Sequence, residues 1–164
     1  MLLTRLKKGG ASSSLLYNKL EMEVSNMIPK FKAYIKKSKK IYPVNDLTLN
    51  GIDDEPVGIN GCGDSTCTTC LDWYRFEDIE LMQSTGLKDK NGVEIFEGDV
   101  VNYDDGEFSY IGSVKKDCYQ FYINGIEPVD SYDFIDVSNT FDGTTSLTII
   151  GNIYENPELL EAIE

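Results

Sequence analysis

Histidine is missing from this sequence altogether. The gap removes the usual general base, the usual activator of a serine or cysteine nucleophile, and the commonest metal ligand. Acid–base chemistry would fall to Asp, Glu, Lys, Tyr or Cys. Long apolar runs are missing too: nothing approaches the roughly 20 residues a helix needs to cross a bilayer, so no membrane partner is expected. Nor does spacing single out a catalytic pair. Spacing cannot choose among Asp53, Asp54, Glu55, Asp104, Asp105 and Glu107, because carboxylates are too numerous here to nominate any two as metal holders. The expectation is a protein that is not an enzyme, with no catalytic residues.

Positive charge is scarce after residue 50. The first 50 residues hold ten Lys/Arg and three Asp/Glu, a net +7, whereas the remaining 114 carry −20. An acidic body of that size repels phosphate, so nucleic acid is not an expected partner for it. It suits a soluble acidic intracellular protein, with a basic protein surface as partner; imitation of nucleic acid is the less favoured reading. The lysine-rich stretch 30–40 reads as a solvated hairpin whose charges discourage edge pairing, rather than as a nucleic-acid or membrane contact.

What is present is punctuation. Asn50-Gly51, Asn60-Gly61, Asn91-Gly92, Asp105-Gly106 and Asn124-Gly125 suit turns that need positive φ. Between them lie short runs rich in β-branched and aromatic residues, over 93–103, 108–114, 119–123 and 146–154. The pattern predicts a mainly β, β-rich α+β chain: an antiparallel meander or small barrel with short helices. Lys90-Asn91-Gly92-Val93 predicts a hairpin turn, and Gly98-Asp99 a bulge or corner within an apolar strand. One helix is expected within 72–83, where Phe76, Ile79 and Met82 stand at helical offsets. A second is expected over 157–163, with Asn156 as N-cap and Pro157 in the first turn. Residues 1–26 lack either period and read as an N-terminal extension before a natural start at Met27. Residues 27–164 form the expected domain, divisible into small lobes at 27–72 and 73–164.

Three stretches carry a resemblance. They are LMQSTGLKDKNGVEIFEGDVV at 81–101, IGNIYENPELL at 150–160, and KFKAY at 30–34 followed by YPV at 42–44. Together they resemble the YopX family of phage proteins over residues 27–164. The resemblance implies a β-rich fold with a partly open barrel, and genes carried by phages and prophages of Gram-positive bacteria. It implies no activity and transfers no catalytic residue. The motifs themselves read as turns, a bend and core positions.

Cys62, Cys67 and Cys70, with Cys118 far downstream, depart from that family pattern. The C-x4-C-x2-C spacing matches the thiolate arrangement of plant-type iron–sulfur sites, and four thiolates also suit zinc. A loop rich in Gly, Ser and Thr is the favoured reading, with Cys118 as a small core residue and no cofactor. Zinc ranks next and an iron–sulfur cluster after it. Disulfides are not the default in a reducing cytosol.

The expected function is therefore that of a phage or prophage accessory protein that binds a host or phage protein, for host modulation or counter-defence. Aromatics at Phe108, Tyr110 and 119–122 are candidates for a binding face, half of them core by alternation. Homo-oligomers through strand edges are a further expectation. The alternative is capture of a nucleotide signal, using Arg75, Lys88 and Lys90.

Overall fold

The computed structural model describes residues 29–64, 67, 69–139 and 141–161. The expected extension, 1–26, lies outside them. In chain order the strands are β1 (Phe31–Ile35), β2 (Lys40–Leu47), β3 (Val57–Asn60), β4 (Leu71–Tyr74), β5 (Ile79–Lys88), β6 (Glu94–Phe96) and β7 (Asp99–Asp104). They continue with β8 (Ser109–Lys116), β9 (Phe121–Glu127), β10 (Ser131–Asp133), β11 (Ser138–Asn139), β12 (Thr144–Thr145) and β13 (Thr148–Asn152). The chain is mainly β, as its turn spacing predicts. Helical structure among the described residues is limited to single 3-10 turns at Phe76–Asp78, Phe134–Asp136 and Pro157–Leu160.

The strands form two open sheets rather than a barrel. One runs β11-β12-β5-β1-β2-β3-β4, with β6 also paired to β5, and the other runs β10-β9-β8-β7-β13. The expected barrel fails because of the corner at Glu97-Gly98. Gly98 takes φ +84°, donates its N–H to Val114, and accepts from Ile153. The chain therefore leaves one sheet at β6 and enters the other at β7, so the hairpins fill two sheets instead of closing one. The buried apolar residues form two clusters, and the larger draws on both sheets, since its Ile95 lies in β6. Ala33, Ile35, Val57, Ile59 and Ile79 form one; Ile95, Val101, Tyr110, Val114, Ile123, Phe134, Val137 and Leu147 form the other.

The turn predictions meet mixed outcomes. Asn91-Gly92 makes the hairpin between β5 and β6, with Gly92 at φ +83° and Asp89 accepting from Asn91 N and Val93 N. Asn124-Gly125, in contrast, sits inside β9. There the missing side chain serves close packing: a Cβ on Gly125 would lie 2.5 Å from the Pro128 carbonyl oxygen and 2.9 Å from the Tyr132 ring.

Both predicted helices are corrected. Over 72–83 the chain makes β4, one 3-10 turn and the start of β5. Ile79 is buried in the first cluster, while Met82 is buried near Gly98 and Asn152. A strand with both faces covered thus imitates helical offsets. At the C-terminus only Pro157–Leu160 coils among the described residues, as a 3-10 turn; residues 162 and 163 of the expected helix lie outside them. The Asn156 side chain makes no cap bond; it accepts from Asn152 N at 3.2 Å and donates to Glu158 at 3.3 Å. That contact folds the segment back over Gly151, where a Cβ would lie 2.6 Å from Leu159.

Candidate functional site

The hairpin β3–β4 organises both candidate sites, one at each end. Val57 and Ile59 point into the core, and Tyr74 packs against the same cluster. The opposite face carries Trp73, paired in register with Gly58. A Cβ on Gly58 would stand 3.0 Å from Asp46 Cβ, 3.2 Å from Leu71 and 3.4 Å from the Trp73 ring. The bare backbone lets the indole lie across β3 while 42% of Trp73 stays exposed. β4 ends its sheet, so its outer edge is unpaired among the described residues.

Beyond the start of β3, residues 48–56 fold into a compact loop. Thr48 N donates to the Pro56 carbonyl, and Asn50 Oδ1 accepts from Ile52 N and Asp53 N, an Asx-type turn. Gly51 follows at φ +70°. The turn exposes Leu49 and Ile52 and brings Asp53, Asp54 and Glu55 beside Trp73. These three acids, with Thr48, Trp73 and Arg75, line a cavity of about 510 Å³. Arg75 reaches Glu77 at 3.3 Å. That bond first, then the charges of Glu77, Asp54 and Glu55, push the guanidinium pKa further up. The groove thus contains an aromatic wall, three carboxylates and one cation already paired. It suits a cationic group with apolar neighbours.

The other end of the hairpin is the cysteine loop. Gly61 N donates to the Cys70 carbonyl at 3.1 Å, and Gly63 N to the Asn60 carbonyl at 2.9 Å. Asn60, only 2% exposed, donates from Nδ2 to the Asp64 carbonyl at 2.8 Å. Cys67 N donates to the same carbonyl at 3.1 Å. This folding brings the thiol sulfurs of Cys62, Cys67 and Cys70 within 4.8 Å of one another. The Thr69 hydroxyl, 3.3 Å from Cys67 Sγ, leads the donors that pull the Cys67 thiol down to about 6; the Thr69 N–H and the other two thiols add to it. Cys70, as the donor to Cys67, is pushed up.

Cys118 does not join them. It was expected in the core and is instead exposed in the turn before β9, where Asp117 caps Tyr119 N and Gln120 N. The turn claims the position, and β9 begins three residues later.

The remaining candidates disperse. Arg75 precedes β5 and Lys88 is its last residue, with Lys90 further on in the hairpin turn. Of the lysines at 30–40, Lys30 pairs with Glu94, Lys36 with Glu80, and Lys32 lies 4.2 Å over the Phe96 ring. β1 and β2 are both interior strands, so these lysines guard no edge. Tyr110 is core, stacked between Tyr103 and Tyr132, and burial raises its pKa to about 12. Tyr119 is almost fully exposed. Trp73 was missed by sequence reasoning, which absorbed it into the predicted helix; its being the sole tryptophan was the available signal.

The family model described as YopX protein matches residues 30–161. Among solved structures, the chain is similar to the crystal structure of protein EF1440 from Enterococcus faecalis, with 29% identity and a TM-score of 0.50. That similarity covers 82% of this chain and 99% of the other. No curated protein matches the sequence.

Proposed function

This chain belongs to the YopX protein family, and from that premise we propose that it works without catalysis, by binding a basic surface of a host or phage protein in the groove beside Trp73. The observation that carries this reading is the exposed indole on an edge strand, next to Asp53, Asp54 and Glu55. Aromatic side chains at a free edge supply contact area at little entropic cost, and a desolvated Arg or Lys gains from both ring and carboxylates. In this reading the chain acts inside the bacterial host as a phage accessory factor, for host modulation or counter-defence. No helix of the described residues is long and apolar enough to cross a membrane. Nucleotide capture is disfavoured because the groove's one arginine is paired with Glu77 and faces excess negative charge.

Trp73 is the only tryptophan, so fluorescence excited selectively at tryptophan, beyond the tyrosine absorption, reports on this groove. Titration with an arginine-rich peptide is expected to shift the emission, less so at high salt. The response should be lost when D53N, D54N and E55Q are combined. A response to nucleotides with none to the basic peptide would overturn the reading. Affinity capture from infected cells, comparing the native chain with W73A, then identifies the partner. Sedimentation of the same two proteins shows whether a second copy occupies the edge instead.

A further inference from the structure

We propose that Cys62, Cys67 and Cys70 form a three-thiolate zinc site, with the fourth coordination position left to water or an incoming ligand. Thiolates bound to zinc at about 2.3 Å and tetrahedral angles stand about 3.8 Å from one another. The three sulfurs already lie within 4.8 Å, so closure onto an ion takes movement of about 1 Å. Four sequence positions separate the first two cysteines and two separate the last pair. The proximity of these three side chains in so short a loop has no packing reason behind it, since none of the three belongs to either apolar cluster.

The loop is also braced from below. The hairpin bond between Gly61 and Cys70 fixes the ends, and Gly63 turns at φ +78°. Asn60 is buried at the base and ties Asp64 to β3, while its Oδ1 has no hydrogen-bond partner. These contacts hold the loop with its three sulfurs near one another before any ion arrives, which lowers the ordering cost of binding. All three ligands are soft sulfur, and no carboxylate among the described residues joins the group. That donor set selects zinc over magnesium, calcium or manganese.

Binding is a simple exchange. Zn²⁺ enters, the thiols give up their protons to solvent, three Zn–S bonds form, and no electron is transferred. Three thiolates on one dication leave a net charge of −1, and the open position distinguishes this site from closed structural zinc. Cys118 plays no part, because it lies in the turn before β9, within the other sheet.

The full chain, purified under reducing conditions, should bind one zinc per chain by elemental analysis. Titration with Co²⁺ should give the intense thiolate-to-cobalt charge-transfer band of a tetrahedral sulfur site. C118S should keep both properties. C62S, C67S and C70S should each lose more than about 10-fold in zinc affinity, a loss that even an outer-shell partner's removal can produce. Circular dichroism of each variant confirms that the sheets are intact, and the three independent substitutions guard against one that fails to fold. Absence of the cobalt band, equal affinity in C67S, or loss in C118S as large as in C67S would each overturn the proposal. So would a chain that holds iron and sulfide instead.

Discussion

Asp89 holds the turn between β5 and β6 with a single carboxylate. Oδ1 accepts from Asn91 N at 2.8 Å and Val93 N at 2.9 Å, and Oδ2 from Asn91 Nδ2 at 3.2 Å and Ile149 N at 3.4 Å. Burial pushes the carboxyl pKa up, but the converging N–H donors outweigh it and the net shift is downward. A lowered folded pKa means stabilisation that is present above the unfolded value, about 3.9, and lost as pH falls through the folded one. D89N keeps one acceptor but turns an NH2 toward donors. It should cost about 1–3 kcal/mol at pH 7. Urea midpoints of wild type and D89N should converge as the pH falls below about 4; a gap that stays constant down to low pH would refute the electrostatic account. Asp99 has the opposite sign. Burial raises its pKa, and bonds from Phe96 N and Asn152 only partly offset this. Its contribution is present at low pH and lost as pH rises through the folded value. Comparison with D89N cancels that background.

At the scale of elements, glycines do two different jobs, and β9 separates them. Gly106 sits at φ +90° with open space where a Cβ would be, so G106A should cost about 1 kcal/mol from backbone strain. Gly125 has no positive φ, but an added methyl meets the Pro128 and Asp130 carbonyls and the Tyr132 ring within 3.0 Å. G125A should push β10 off β9 and cost about 1–3 kcal/mol by overpacking. Near-ultraviolet circular dichroism from the Tyr110–Tyr132 stack, centroids 3.9 Å apart, should weaken in G125A and not in G106A. Equal spectra would restore the turn reading. The same pair shows why the fold was only partly legible. An Asn-Gly dipeptide announces itself as a turn, and at Asn91-Gly92 that is right, but close approach by β10 leaves no mark in the local sequence. The Gly98 corner was visible as a break in an apolar run; which sheet each half joins was not, because pairing is decided by residues far away in the chain. Phe76, Ile79 and Met82 imitate a helix because β5 is covered on both faces. The cysteine spacing was legible as a motif, while the exclusion of Cys118 depends on a turn that Asp117 nucleates. Trp73's exposure required knowing that β4 is an edge.

For the molecule as a whole, the question is whether two sheets with two apolar clusters behave as two bodies. Their contacts say one. Gly98 N bonds to Val114 in β8, Lys116 Nζ reaches Gln83 of β5 at 2.6 Å, and Asn152 Nδ2 lies against both Met82 Sδ and Asp99. Tyr34 of β1 stacks on Tyr154 at 5.0 Å, and Ile41 N donates to Glu155. The segment after β13 is therefore held by the first sheet, and the bend before β7 by the second. Ile95 of β6 is buried in the second cluster, and the buried Asp99–Asn152 pair lies against Met82 of β5, so neither sheet can open without exposing groups that the other buries. Loss of such a pair costs about 1–3 kcal/mol for each polar group left unpaired. Unfolding should accordingly be one transition. Trp73 fluorescence reports on the sheet that ends in β4, and near-ultraviolet dichroism of the Tyr103–Tyr110–Tyr132 stack on the other. Their urea midpoints are expected to coincide in the native chain. M82A removes a fully buried side chain at the junction and should destabilise by about 2–5 kcal/mol. Because Met82 serves both sheets, both probes should move together. Separate midpoints in the native protein, or a shift in M82A confined to the tryptophan signal, would instead mean that the two sheets unfold as independent units, joined by the Gly98 corner without being coupled through it.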